Sequence, residues 1–166
     1  MNISYYGHAN IIKFCERPYK NIHEMNDDII KRHNSVVKDG DTVVHVGDFT
    51  LERNAGKYIG RLNGNHIFVR GSHDYWLPKT HQMIFEYKSD KIYIVACHYC
   101  MRTWPRSHYN SWHLYAHSHG RLDPIGKSWD IGVDNNDFYP LALEEIKCIM
   151  ENRPDNPNKI KGENYG

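Results

Sequence analysis

Asp48, the triplet Ser72-His73-Asp74, His98 and the pair His117 and His119 are the residues whose types and spacing could do chemistry in this chain of 166 residues. Each closes a short apolar run. Val43–Val46 precede Gly47-Asp48, Ile67–Val69 precede Gly71-Ser72, Ile92–Cys97 precede His98, and Leu114–Ala116 precede His117. A carboxylate with several imidazoles is a donor set suited to Mn²⁺, Fe²⁺ or Zn²⁺. Histidines at i and i+2 on a turn either point to neighbouring ions or straddle one. Taken singly, Asp48 also reads as a turn or capping aspartate, and each histidine as a surface or structural residue. The argument for a site is the recurrence at successive run ends.

Elements able to bring these residues together are legible. Short β-branched runs bounded by turn residues read as strands buried on both faces, the parallel-sheet pattern. The spacing predicts strands over 43–46, 66–70, 91–97 and 114–116, with a last one over 129–133. Apolar positions Ile22, Met25, Ile29, Ile30, Val36 and Val37 recur at helical steps, so 21–37 reads as an amphipathic helix. Shorter helices are expected over 8–15, 54–62 and 141–150, and a helix or loop over 78–85. Strand-end loops of an α/β sheet converge in space, so residues far apart in sequence meet at one rim.

Composition sets the frame. Charge is nearly balanced, 21 basic against 20 acidic residues, which argues against a general polyanion-binding surface. The length fits one domain, taken as 1–150, followed by a polar 151–166 segment expected to be a disordered tail. Cys15, Cys97, Cys100 and Cys148 do not suggest a disulfide scaffold, and Cys97-His98-Tyr99-Cys100 lacks a second pair for a zinc site. A reduced, cytoplasmic protein is expected, with neither a signal peptide nor an apolar run of membrane-spanning length.

In combination the segments resemble the calcineurin-like metallophosphoesterases, in their small bacterial and phage form. The resemblance rests on Gly7-His8-Ala9-Asn10-Ile11-Ile12, Asp41 to Phe49, Gly71-Ser72-His73-Asp74, Cys97-His98-Tyr99 and Ala116-His117-Ser118-His119-Gly120. It spans about residue 3 to about residue 146. It implies a four-layer α/β/β/α sandwich with a metal site at the strand ends. By resemblance, Asp48 bridges two ions, His98 and His117 serve the second, and His119 serves the first. His73 resembles the histidine that assists the leaving group, with Asp74 holding its ring. His8 and Asn10 belong to a family segment that orients the site and are candidates to bind substrate, the alternative being that they merely cap the first helix.

The chain departs from the family at the first ion. Counting back from Gly7-His8, Ile3 and Tyr5 fall where the family places a metal-binding Asp and His. Ser72 replaces a metal-binding Asn, and Ala116 stands where the family has Gly. One divalent cation per chain is therefore expected, held by Asp48, His98 and His117 with Ser72 beside them. Mn²⁺ is the expected ion, with Fe, Zn or Ni as alternatives. Arg102 and Arg106, in an aromatic loop, are candidates for a substrate phosphate, since the guanidinium fork matches phosphate oxygens. The resemblance implies a phosphoester substrate, either a phosphorylated small molecule or a nucleotide or nucleic-acid end. The alternative is an inactive scaffold that binds a protein or a nucleotide. A chain whose start is truncated or misassigned would explain the loss at Ile3, and would not explain Ser72 or Ala116. His45, mid-strand, reads as structural.

Overall fold

Asn21 accepts the amide N–H groups of His23 and Glu24 at 3.0 Å each, so the backbone turns helical at Ile22. The helix that follows buries Met25, Asn26, Ile29, Ile30 and His33, the stripe its apolar spacing requires. Burying the apolar members, Met25, Ile29 and Ile30, is worth about 1.5–3 kcal/mol each. The computed structural model describes residue 1 and residues 4–160. Ile3 lies outside the described residues, so its expected place beside Asp48 is not at issue here.

The elements run α1 (Ala9–Phe14), α2 (Ile22–Val36), β1 (Thr42–Val46), α3 (Gly56–Ile59) and β2 (Asn65–Val69), then β3 (Ile84–Lys88), β4 (Tyr93–Cys97), β5 (Trp112–Tyr115), β6 (Ser128–Asp130) and α4 (Leu143–Glu151). The fold is mixed α/β with two sheets, one of β1 and β2 in parallel and one ordered β3-β4-β5-β6. In the larger sheet β3 runs antiparallel to β4, while β4, β5 and β6 run parallel. Because β1, β4 and β5 are buried along nearly their whole length, their polar residues emerge only at the ends. One core serves both sheets, with Val44, Val46 and Val69 packed in the same cluster as Ile94, Ala96, Leu114 and Ile131.

Three features of the fold differ from the sequence expectations or add to them. The 78–85 stretch ends in strand β3, whose exposure alternates residue by residue as expected of a sheet edge with one face to water. Among the described residues ahead of Gly7, Tyr6 makes an isolated parallel bridge to Thr50, past the end of β1. The segment after α4, expected as a disordered tail, packs down as far as residue 160. There Asn156 is 2% exposed and donates to the carbonyls of Ser107 and Ser111 at 2.9 Å. Cys15, Cys97, Cys100 and Cys148 are free thiols. Among the described residues no helix is long and apolar enough to cross a membrane.

Candidate metal centre

Strand β1 ends in a turn that only a particular backbone allows. Gly47 has φ +86 and Asp48 has φ 49, both left-handed. A Cβ at Gly47 would lie 2.6 Å from Nδ1 of His98, so glycine is required for the imidazole to approach. The strained turn is held from below. Asp74 accepts the amide N–H groups of Asp48 at 2.6 Å, Phe49 at 2.8 Å and Gly71 at 2.8 Å, and the indole N–H of Trp76 at 3.1 Å. A carboxylate in a nest of successive amides is a stable arrangement for a buried charge. Asp74 was expected to hold the His73 ring. That expectation is corrected: its carboxylate is fully buried and committed to the backbone amides of Asp48, Phe49 and Gly71 and to the Trp76 indole.

The Asp48 carboxylate then faces outward into a knot of donors. It accepts from the His73 amide at 2.7 Å and from Oγ of Ser72 at 3.0 Å, and its Oδ2 lies 3.1 Å from Nε2 of His98. Burial by itself would raise the Asp48 pKa. The His98 hydrogen bond and charge, with the His73 amide, outweigh it and hold the group at about 2. Gly71 completes the fit, since a Cβ there would lie 2.2 Å from Oδ1 of Asp48.

His98 leaves the end of β4 with its orientation fixed. Nδ1 lies 3.2 Å from the Val46 carbonyl, which can only accept, so Nδ1 carries a proton. The Nε2 lone pair of a neutral His98 therefore points at the Asp48 carboxylate and at Nδ1 of His117, each 3.1 Å away. His117 follows β5, and its amide and that of Ala116 both donate to the His98 carbonyl, clipping the two loops together. Ala116 packs into the core at 1% exposure. His117 keeps its ring at the surface, with its pKa lowered by partial burial and by the neighbouring His98.

Ligand atoms of Asp48, His98 and His117 all lie within 4.8 Å of one another. Bonds of about 2.0–2.2 Å place adjacent ligands of one ion about 3 Å apart, so the 3.1 Å separations suit a divalent cation. A carbonyl behind the ligating imidazole is the usual device for fixing its tautomer.

The other expected residues divide. Ser72 touches Asp48 as a hydrogen-bond donor. The His73 ring is half-buried, 6.3 Å from that of His8, whose Nδ1 caps α1 by accepting the Ile11 amide at 3.2 Å. Asn10 is exposed on α1 and Arg102 is exposed in the loop after β4. Arg106 does not join the centre. Its guanidinium lies over the rings of Tyr93 and Tyr109, at the opposite end of β4 from His98. His119 does not join the cluster of Asp48, His98 and His117 but a second one, with Cys15 and Asp134. Its Nδ1 lies 2.8 Å from Oδ2 of Asp134. Both Asp134 oxygens are taken by Arg17, at 2.7 and 2.9 Å, so this second cluster is already closed by a cation. Arg17 and His119 hold the Asp134 carboxyl at about 2 against the upward push of burial. Tyr5 occupies the corner between the clusters, its ring 4.7 Å from that of His119 and its hydroxyl bonded to Asp48.

Sequence reasoning missed Asp134 and Arg17. Asp134 had a signal, since it directly follows the apolar stretch read as the last strand, the rule that found Asp48. Arg17, ahead of Pro18 in a loop, had none. A groove of ≈820 Å³ lies at the start of β1 among Thr42, Val43, Phe85 and Leu141, away from Asp48.

No family model matches the chain. It is 32% identical over 163 aligned residues to the uncharacterized protein MJ1445 of Methanocaldococcus jannaschii, covering 89% of this chain and 88% of that one. Among solved structures, the crystal structure of AQ665 from Aquifex aeolicus, a protein of unknown function, matches with a TM-score of 0.67 at 20% identity. That match covers 90% of this chain and 96% of the other, and at such identity it concerns the fold alone.

Proposed function

The chain belongs to the family of the uncharacterized protein MJ1445, and on that premise we propose that it is a metal-dependent phosphoesterase working with one divalent cation. We read its two sheets as the inner layers of a four-layer α/β/β/α sandwich of the calcineurin-like kind. One observation carries the proposal. With Nδ1 of His98 committed to the Val46 carbonyl, the Nε2 of a neutral ring would face the Asp48 carboxylate at 3.1 Å, acceptor against acceptor. Only a proton or a cation between them relieves that opposition.

Asp48, His98 and His117 would hold the cation, and a carboxylate with two imidazoles suits Mn²⁺, Fe²⁺ or Zn²⁺. When bound, the ion supplies positive charge for phosphoryl oxygens and acidifies a water. The chain does the rest. Asp74 holds the Asp48 turn, and the His73 amide fixes the carboxylate rotamer. The His73 imidazole stands at the rim, placed to give a proton to the leaving oxygen of a phosphodiester or nucleotide. His8 packs across from it at 6.3 Å and bounds the substrate space.

The test combines metal analysis with hydrolysis of an activated phosphodiester. Purified protein loaded with Mn²⁺ should hold about one ion per chain, lost in His98→Ala, and should turn over slowly. Failure to bind any divalent ion sinks the reading. A second reading, an inactive scaffold for a protein or nucleotide, is favoured by one feature: the Tyr5 hydroxyl bonded to Asp48 fills a corner that a second ion would need. Bound Mn²⁺ without turnover on any phosphoester would select it.

A further inference from the structure

Among the described residues, β1 has a strand beside it on one side alone, that of β2. In a parallel ladder each residue turns its N–H and C=O to the same side, and successive residues alternate. The Asp41 carbonyl accepts the Asn65 amide at 2.7 Å, so Asp41, Val43 and His45 face β2, while Thr42, Val44 and Val46 face away. On that outer edge the Val46 carbonyl lies 3.2 Å from Nδ1 of His98, and the Asp48 carbonyl accepts the Tyr5 amide at 3.2 Å. Nearer the start of the strand, no described residue bonds the outward amide or carbonyl of Thr42 or Val44. Met1 lies close by, yet its ammonium and its carbonyl are both bonded to Leu141.

That open edge is one wall of the ≈820 Å³ groove. Val36, Val43, Phe85, Tyr87, Leu141 and Leu143 give it an apolar surface, and Val36 is 51% exposed. Its side-chain charge has one sign. Asp41, Asp137, Glu144 and Glu145 line it and all four are exposed, whereas none of the lining residues is Lys, Arg or His. Cations at its margin are engaged, Arg32 with Asp28 at 2.6 Å and Lys147 with Glu144 at 3.6 Å. An unpaired edge strand is a template for another strand unless lysine, proline or a bulge blunts it, and Thr42–Val46 contains neither residue.

We propose that this groove docks an extended segment of a partner protein, in which apolar residues alternate with Lys or Arg, as an added strand on β1. Main-chain groups of the segment satisfy Thr42 and Val44. Side chains of a strand alternate between two faces, so one set enters the apolar groove and the other meets the acidic rim. Pairing along the edge supplies affinity, and the alternate side chains supply selection. A rise of about 3.3 Å per residue makes a segment of about five residues long enough to cover Thr42 to Val44 with both flanks. The groove lies at the opposite end of β1 from Asp48, so this role does not rest on the proposed metal centre.

The probe is a panel of fluorescein-labelled hexapeptides in which Val, Ile or Leu alternates with Lys or Arg, read by anisotropy against the full chain. At least one should bind saturably, about tenfold or more tighter than its counterpart with Glu at the charged positions. Methylating alternate backbone nitrogens of the best binder should remove binding, because charge and apolar content stay while the ladder donors go. Thr42→Pro deletes an outward N–H at the first strand position, where proline is tolerated. Asp137→Lys with Glu144→Lys reverses the rim. Each change should weaken the best binder about tenfold or more. A panel without a binder overturns the proposal, and so does a binder indifferent to methylation or to both changes. Two further outcomes give the groove to another occupant and overturn a partner protein. One is a wild-type dimer in sedimentation that turns monomeric in the Asp137→Lys, Glu144→Lys chain. The other is peptide binding that requires removal of residues 161–166.

Discussion

Asp74 lies directly beneath Asp48 and accepts its amide N–H at 2.6 Å, so a buried carboxylate with no access to substrate sets the backbone of the residue that faces it. Asp74→Ala strands the amides of Asp48, Phe49 and Gly71 in the interior. The expected loss is about 3–5 kcal/mol, because unsatisfied buried donors cost about 1–3 kcal/mol each and partly relax. Urea unfolding of the metal-free protein measures it. Metal binding should fall in the same variant. A loss below about 1 kcal/mol would mean that the turn is held by something else.

Substitution at Gly71 should act on the site with little effect on the rest of the core. A Cβ there meets Oδ1 of Asp48 at 2.2 Å and the Asp48 amide nitrogen at 2.4 Å, a clash with the turn itself. Gly71→Ala should abolish tight Mn²⁺ binding while circular dichroism retains the native helix and strand content. Binding at wild-type affinity would show that the Asp48 turn has room to move.

His73→Ala should separate proton transfer from ion binding. Its amide holds Asp48, and an alanine keeps that amide, so the ion should stay. Turnover of an activated phosphodiester should drop about two orders of magnitude, the usual scale for losing a general acid. Equal loss of metal and of turnover would place His73 among the ligands.

What the sequence disclosed and what it hid follow one physical line. Strand ends were legible because a β-branched run that stops at glycine, as at Val46-Gly47 and Val69 to Gly71, is a local signal. The same locality located Asp48, His98 and His117. Roles that depend on who lies behind whom were hidden. Asp74 adjoins His73 in the chain yet serves Asp48, and His119, two residues from His117, turns to Asp134 instead. Arg106 shares a loop with Arg102 but folds back over Tyr93. Strand β3 has a readable alternation of Phe85 and Tyr87 with Ile84, Glu86 and Lys88, where the expectation over 78–85 is a helix or loop. Asn156 looked like tail composition, and only the Ser107 and Ser111 carbonyls across the fold explain its burial.

Acid should weaken the fold before it reaches the carboxylates. His33, His45 and His66 stack around the start of the core, with Nε2 of His45 3.0 Å from Nδ1 of His66. Burial lowers the pKa of each below the ordinary 6.5, furthest for His45. The folded protein keeps them neutral, whereas the unfolded chain takes up protons as pH falls through 6.5. Their stability is thus fully present above that pH and is lost below it, at up to about 1.4 kcal/mol per pH unit for each extra proton bound by the unfolded chain. Asp48 and Asp134, held at about 2, act in a separate window, losing their contribution only as pH drops below 3.8. Urea midpoints in chelator between pH 7.5 and 5 should fall, and His45→Phe, whose ring would still stack on Phe68, should flatten the slope. A slope equal to that of wild type would place the acid sensitivity elsewhere.

Tyr5 gives the sharpest test of ion number. Its ring lies 4.7 Å from His119 and its hydroxyl bonds Asp48, so it fills the space between one donor set and the next histidine. Tyr5 also sits at φ 58, where histidine is tolerated better than most side chains. Tyr5→His would replace the phenol with an imidazole near Asp48 and the His119 ring. Bound Mn²⁺ should rise from one ion per chain toward two, seen by elemental analysis and by exchange-coupled spectra of neighbouring Mn²⁺ ions. The gain should be partial, since a site loose by about 1 Å loses much of its value and Tyr5 lies outside any regular strand, beside an isolated bridge from Tyr6 to Thr50. If the variant folds and still binds one ion at unchanged affinity, Tyr5 is not what limits the centre to one, and the closure of Asp134 by Arg17 becomes the barrier to remove next.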